Sequence, residues 1–101
     1  MGYTTTTIEV RRRYAINLIE LERQHQESHK AAGRFRYTCA DNLSPALKFA
    51  ILTEEIGEVA RELLSIEGLV TDGDQSWQAL RKELVQVAAI SLAWLESLVE
   101  E

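Results

Sequence analysis

The hydrophobic residues of this chain follow the period of an α-helix in three separate stretches. In the first, from about residue 7 to 29, one stripe along the helix contains Val10, Tyr14, Leu18, Leu21 and His25. Thr6 and Glu9 have capping-box spacing, which predicts a helix start near Thr7. The periodicity fails from Lys30 to Leu43, so this segment is predicted to be a loop.

A second helix has a clear start and a clear end. Ser44 followed by Pro45 is typical of an N-cap and a first helical position, and Gly68 ends the pattern, so a helix is predicted over about 45–66. Its apolar side consists of Leu47, Ile51, Leu52, Ile56, Val59, Ala60 and Leu63.

A third helix is predicted from about 77 to 98, capped by Asp74 or Ser76 after a polar turn. Its apolar stripe is wider than one neighbouring helix would cover. We therefore expect the chain to associate with copies of itself, as a homodimer or homotetramer with a four-helix-bundle-like core.

Composition narrows the class of protein. The chain has 101 residues and no credible strand, which predicts an all-α fold of three main helices in one domain, 1–101. Its net charge of −5 argues against a nucleic-acid partner. No apolar run reaches the roughly 20 residues that span a bilayer, and a signal-peptide pattern is absent, so we expect a cytoplasmic protein that does not bind membranes. Cys39 is the only cysteine, which fits a reducing compartment.

Glutamates gather on the second and third predicted helices. Glu55 and Glu58 lie one turn apart and about 60° apart around the axis. Glu83 and Gln86 repeat this spacing on the third helix. Carboxylates on facing helices repel one another unless a cation lies between them, so a magnesium-type site is the first hypothesis.

The alternative is that these glutamates face solvent and pair with Arg61 or Lys82. Two observations favour the metal site. Glu54 and Glu55 stand among apolar residues, where a run of like charges is unfavourable without a counter-ion. Gly57 costs the helix about 1 kcal/mol relative to alanine, which indicates that something approaches the helix closely there.

This arrangement resembles the MazG-like all-α nucleoside triphosphate pyrophosphohydrolases, which carry an ExxE pair and an ExxD pair on successive helices separated by a variable loop. Here residues 55–58 form the first pair, 24 residues intervene, and residues 83–86 stand at the second. The surrounding segments, 52–60 and 83–89, also look like the family's helices, and the likeness covers roughly residues 45–98.

The resemblance implies hydrolysis of a nucleoside triphosphate between its α and β phosphates, releasing a monophosphate and pyrophosphate. It also implies Mg²⁺, or Mn²⁺ in its place, held by Glu55, Glu58, Glu83 and Gln86. Glu54 is then the candidate to orient a metal-bound water or to act as its base.

The chain departs from the family at Gln86, where the pattern has aspartate. Its amide oxygen can coordinate magnesium but brings no charge, which implies weaker metal binding. Glu96 and Ser97 also stand where the family often has asparagine. A catalytically silent MazG-like helical oligomer that binds nucleotides or a protein partner is therefore the alternative function.

The candidate substrate-binding residues are cationic or aromatic. They are Lys48, Arg34 and Arg36 for phosphate oxygens, and Trp77, Phe35 and Tyr37 for stacking on the base. The loop residues among them serve equally well to pin the loop to the domain. Trp77, at a helix start, fits a packing anchor equally well.

Overall fold

The computed structural model describes residues 5–99, and these form three α-helices. They are α1 (Thr5–Ala31), α2 (Pro45–Ile66) and α3 (Trp77–Leu98). The all-α prediction is confirmed, and the bounds of α2 and α3 match those predicted. Helix α1 is longer at both ends than predicted, so Thr6 lies inside it and is not its N-cap.

Both predicted helix starts that rest on a serine cap are confirmed. Ser44 Oγ accepts a hydrogen bond from the Leu47 N–H at 3.2 Å, and Pro45 occupies the first helical position. Ser76, rather than Asp74, caps α3, and its Oγ accepts from the Ala79 N–H at 3.0 Å. These bonds satisfy backbone donors that have no partner within the helix itself.

Helix α3 lies at the centre of the arrangement, because it packs against both α1 and α2. Ala89 and Ala93 on α3 are fully buried. Their small side chains let neighbouring helices come close. The site described below lies where α2 and α3 face each other.

Helix α2 turns a face of mixed polar and apolar residues towards the rest of the chain. Lys48, Glu62 and Ser65 are buried, whereas Phe49 and Ile56 are 62% and 50% exposed. The predicted apolar side of α2 is therefore only partly covered within one chain, since Ile51, Leu52 and Val59 are half-buried and Ile56 is exposed. At about 100° per residue, Phe49 and Ile56 lie roughly a quarter turn around the helix from Lys48 and further from Glu62.

The apolar stripes of the other two helices are also largely open. The exposed large side chains include Val10, Tyr14 and Leu21 on α1 and Leu84, Leu95 and Leu98 on α3. Among residues 7–99, the buried hydrophobic side chains are Cys39, Ala89 and Ala93. The chain has few large apolar residues in its interior, and much of its apolar surface remains in contact with solvent.

The loop between α1 and α2 is tied to α1 by polar contacts. Thr38 Oγ1 donates to Glu27 Oε2 at 2.8 Å, and Lys30 Nζ donates to Asp41 Oδ1 at 2.6 Å. Arg23 pairs with Glu27 and also donates to both carboxylate oxygens of Glu96 on α3, at 2.8 and 2.9 Å. One network thus joins α1, the loop and the end of α3.

No helix within residues 5–99 is both long enough and apolar enough to cross a lipid bilayer.

Candidate functional site

The site begins with three side chains that α2 and α3 bring together. Gln86 lies between Glu55 on α2 and Glu83 on α3. When its amide nitrogen faces the carboxylates, Nε2 donates to Glu55 Oε2 at 3.0 Å and to Glu83 Oε2 at 3.3 Å. When the amide is turned over, Oε1 faces the same two oxygens. The sequence prediction that these positions meet across the two helices agrees with this geometry.

Both carboxyl groups have raised pKa values. Burial raises the pKa of Glu55, and the negative charges of Glu83, Glu58, Glu54 and Glu22 raise it further. Burial also raises the pKa of Glu83, with Glu58 adding to the effect and Lys82 opposing it. Both groups favour the protonated form more than an exposed glutamate does, because their negative charges lack enough compensation.

Glu58 and Glu54 are close to these two but are turned elsewhere. Glu58 Oε2 pairs with Arg61 Nη2 at 2.6 Å, one turn along the same helix. Glu54 is exposed and acts on Glu55 through its charge. Within residues 5–99, no group of three or more His, Cys, Asp or Glu side chains is arranged to hold a metal ion. The converging set is therefore two carboxylates and one amide, with Glu58 engaged by an arginine.

Glu22 on α1 is an acidic neighbour that was not among the predicted site residues, although residues 22–26 are a looser part of the resemblance. Its charge raises the pKa of Glu55, and its Oε2 lies 3.6 Å from His25 Nδ1. Its proximity depends on the packing of α1, which residue spacing along the chain does not reveal.

A cleft of about 250 Å³ opens beside Glu55. Its lining residues are Gln26, Phe35, Tyr37, Thr38, Cys39, Ile51, Glu55 and Ile90. The aromatic pair comes from the loop, and Ile51 and Ile90 supply apolar surface from α2 and α3. The ring of Phe35 also packs against His29, with ring centres 4.9 Å apart. Phe35 therefore borders the cleft and also contacts α1, as expected of a residue that pins the loop. Stacking of Phe35 and Tyr37 on a base stays a prediction.

Two of the predicted phosphate-binding cations contact residues other than the acidic pair. Lys48 is buried, and its Nζ donates to Ser97 Oγ at 2.8 Å in a separate cleft next to Trp94. Arg34 Nη1 lies 3.2 Å from His29 Nδ1 at the surface. Arg36 is exposed. Trp77 is 69% exposed at the start of α3, so it is not a packing anchor within the chain.

Two other cations, Lys82 and Arg61, lie close enough to Glu83 to lower its pKa. Arg81 and Lys82 line a cleft between α1 and α3 together with Glu22 and His25. The charge of Lys82 lowers the pKa of Glu83, which places the two groups within electrostatic reach. Sequence reasoning named Lys82 only as an ion-pair partner of the glutamates, because the cleft forms only when α1 packs against α3.

The donor set fits a hard divalent cation. Carboxylate and amide oxygens are the ligands that magnesium and manganese prefer, and the amide of Gln86 can turn its oxygen towards both carboxylates. The predicted close approach to Gly57 is not seen within the chain, since a Cβ built there would meet nothing within 4 Å.

Searches of protein-family models, curated protein sequences and solved structures found no match to this chain.

Proposed function

We propose that this protein is a Mg²⁺-dependent nucleoside triphosphate pyrophosphohydrolase. The observation that carries the proposal is the meeting of Glu55 with Glu83 and Gln86 across α2 and α3. Two partly buried carboxylates with little nearby positive charge are suited to binding a divalent cation. The resemblance of residues 45–98 to the MazG-like enzymes supports the same reaction.

Glu55, Glu83 and Gln86 would hold the cation in this proposal, and Glu58 would join them on leaving Arg61. When bound, such an ion would offset the charge of the triphosphate and lower the pKa of a coordinated water. Glu54, exposed beside the cluster, accepts the proton from the attacking water. Arg81 and Lys82 stand on the α1 side of the cluster, where they attract the phosphate tail.

The nucleobase binds in the cleft that Glu55 shares with the loop. Phe35 and Tyr37 offer faces on which a base stacks, and Ile51 and Ile90 offer apolar surface beneath it. Gln26 and Thr38 contribute polar groups to the same cleft. Glu55 lies both in this cleft and in the cation site, so a base in the cleft directs its phosphates towards the ion.

We further propose that two or more copies associate through the outward face of α2. Phe49, Ile56 and Leu64 are exposed there, and Gly57 and Ala60 lie between them. Small residues flanked by large apolar ones let another helix pack closely. The exposed surface of the chain is 7575 Å², whereas a monomer of 11.5 kDa exposes about 5,800 Å². An excess of this order matches the area that a stable subunit interface buries.

Release of pyrophosphate from a panel of natural and modified nucleoside triphosphates, with Mg²⁺ or Mn²⁺, tests the activity. We expect Glu55→Gln and Glu83→Gln each to lower kcat/KM by at least about 10-fold, because each removes a charged metal ligand. Glu20→Gln, an exposed acid on α1, is the matched control and should leave the rate unchanged. Release that persists in both site variants would refute the proposed site.

A second candidate function is nucleotide binding without hydrolysis. It is favoured by the absence, within residues 5–99, of three acidic side chains arranged to hold a metal, and by the neutral Gln86 in the site. Equilibrium binding of the same nucleotides, measured alongside the release assay, separates the two functions. Saturable binding with no pyrophosphate from any nucleotide would identify a binding protein.

A further inference from the structure

The amide of Gln86 can present two different groups to the same point in space. A half-turn of the amide about its last side-chain bond exchanges the nitrogen and the oxygen and moves no other group. With Nε2 towards the carboxylates, Gln86 makes two hydrogen bonds, at 3.0 Å to Glu55 and 3.3 Å to Glu83. With Oε1 in that place, three oxygens face one another, which is unfavourable for two ionised carboxylates unless a cation lies among them or a carboxyl group takes up a proton.

An acidic residue at position 86 would not have this choice. An ionised carboxylate only accepts hydrogen bonds, so it would add a third negative charge next to Glu55 and Glu83. Glutamine instead supplies N–H donors when the carboxylates have no cation, and an oxygen ligand when they have one. The two carboxylates would then have a partner both without the cation, from the N–H donors of Gln86, and with it, from the ion.

We infer that Gln86 takes the place of the cation in the metal-free protein and turns over when a divalent cation binds. The inference rests on the cation site of the proposed function. Two consequences follow for the protein. The stability of the metal-free chain depends on the N–H donors of Gln86, and metal binding must first break both of its hydrogen bonds. The metal-free chain is thereby stabilised and the affinity for the ion is lowered.

Two substitutions test these consequences. Gln86→Glu keeps the shape but replaces the donors by a charge, and Gln86→Met keeps the approximate volume but removes both donors and acceptor. We expect both variants to have a lower metal-free Tm than the wild type, by several degrees. Calorimetric titration with Mg²⁺ and Mn²⁺ should show binding at least about 10-fold tighter for Gln86→Glu and weaker for Gln86→Met. Gln24→Glu, at an exposed position on α1, should change neither quantity.

The side-chain NH₂ signals of Gln86 in ¹⁵N NMR spectra report the rotation of its amide group. They are assigned by their absence from Gln86→Glu or Gln86→Met. Exchange of these protons with solvent should be slow in the metal-free protein, where both are held by carboxylates, and faster once Mg²⁺ is added.

The outcomes separate this inference from the proposed function. If the wild type binds Mg²⁺ while the Gln86 signals stay unchanged, or if Gln86→Met has the wild-type metal-free Tm, the role of Gln86 is refuted and the cation site stands. If neither the wild type nor any variant binds Mg²⁺ or Mn²⁺, both are refuted.

Discussion

Gly73 occupies the turn between α2 and α3 with a backbone that ordinary residues rarely adopt. Its φ is +92°, and a Cβ added there would lie 2.9 Å from Ser65 Cβ and 3.2 Å from Glu62 Oε2. Both neighbours are buried on α2. The turn therefore approaches α2 so closely that only a glycine fits, and Glu62 fixes it further by accepting from the Asp74 N–H at 3.1 Å.

Gly73→Ala should lower the free energy of unfolding by about 1–3 kcal/mol, because the new methyl group adds a steric clash to an unfavourable φ. Gly33→Ala is the matched control, since Gly33 also has a positive φ, +79°, but has open space around it. Its cost should be smaller, about 1 kcal/mol. Urea denaturation of the two variants measures the difference. Equal losses would show that the contact with Ser65 is unimportant.

At the scale of the elements, the sequence predicted the helices well and their faces poorly. The Ser44-Pro45 start and the Ser76 cap are local signals, because each depends on hydrogen bonds within one turn. The spacing of Glu55, Glu83 and Gln86 also identified positions that meet. The faces of the helices depend on what packs against them, and in α2 the inward side carries Lys48 and Glu62 beside half-buried apolar residues. Periodicity locates an apolar stripe but does not say whether the chain or a partner covers it.

The link between α1 and the loop should depend on pH. Burial alone would raise the pKa of Glu27. Hydrogen bonds from Arg23 and Thr38 outweigh that effect and hold the pKa below its usual value of 4.5. The folded state therefore favours the ionised form, and the stabilisation is present above pH 4.5 and is lost as the pH falls through the folded-state pKa.

Glu27→Gln should accordingly lower the free energy of unfolding at neutral pH by about 1 kcal/mol, a value reduced because solvent reaches the pair. The difference from the wild type should shrink as the pH falls below 4.5. Denaturation curves at several pH values measure it, with the exposed Glu9→Gln as control. A difference that is constant with pH would mean that the charge of Glu27 does not stabilise the loop.

The whole molecule is more open than its length requires. Its radius of gyration is 15.7 Å, compared with about 13 Å for a compact domain of 100 residues. Helices α1 and α2 flank α3, and apolar side chains remain on the outer surface of all three helices. A second copy that covers these surfaces would supply the interior that one chain lacks.

Gly57→Arg tests this association without threatening the fold. No atom lies within 4 Å of a Cβ at this position, and arginine favours the helix more than glycine does. We expect the wild type to run as a dimer or larger assembly in light scattering. Gly57→Arg should shift it to the monomer while circular dichroism keeps the helical signal.

The matched control for this variant is Glu67→Arg, which places the same charge at an exposed position just beyond α2. It should leave the assembly intact. A monomeric wild type, or a Gly57→Arg variant of unchanged mass, would refute an interface on this face of α2.

The reactivity of Cys39 can report whether the loop stays packed on α1. It is the only thiol in the sequence, lies in the wall of the cleft beside Glu55, and is 4% exposed. Burial raises the pKa of this thiol, so in the closed loop it is both shielded and poorly ionised. A thiol reagent should therefore react slowly with Cys39 while the loop stays packed on α1. We expect the modification rate to report how often the loop opens, and a ligand bound in the cleft should lower that rate.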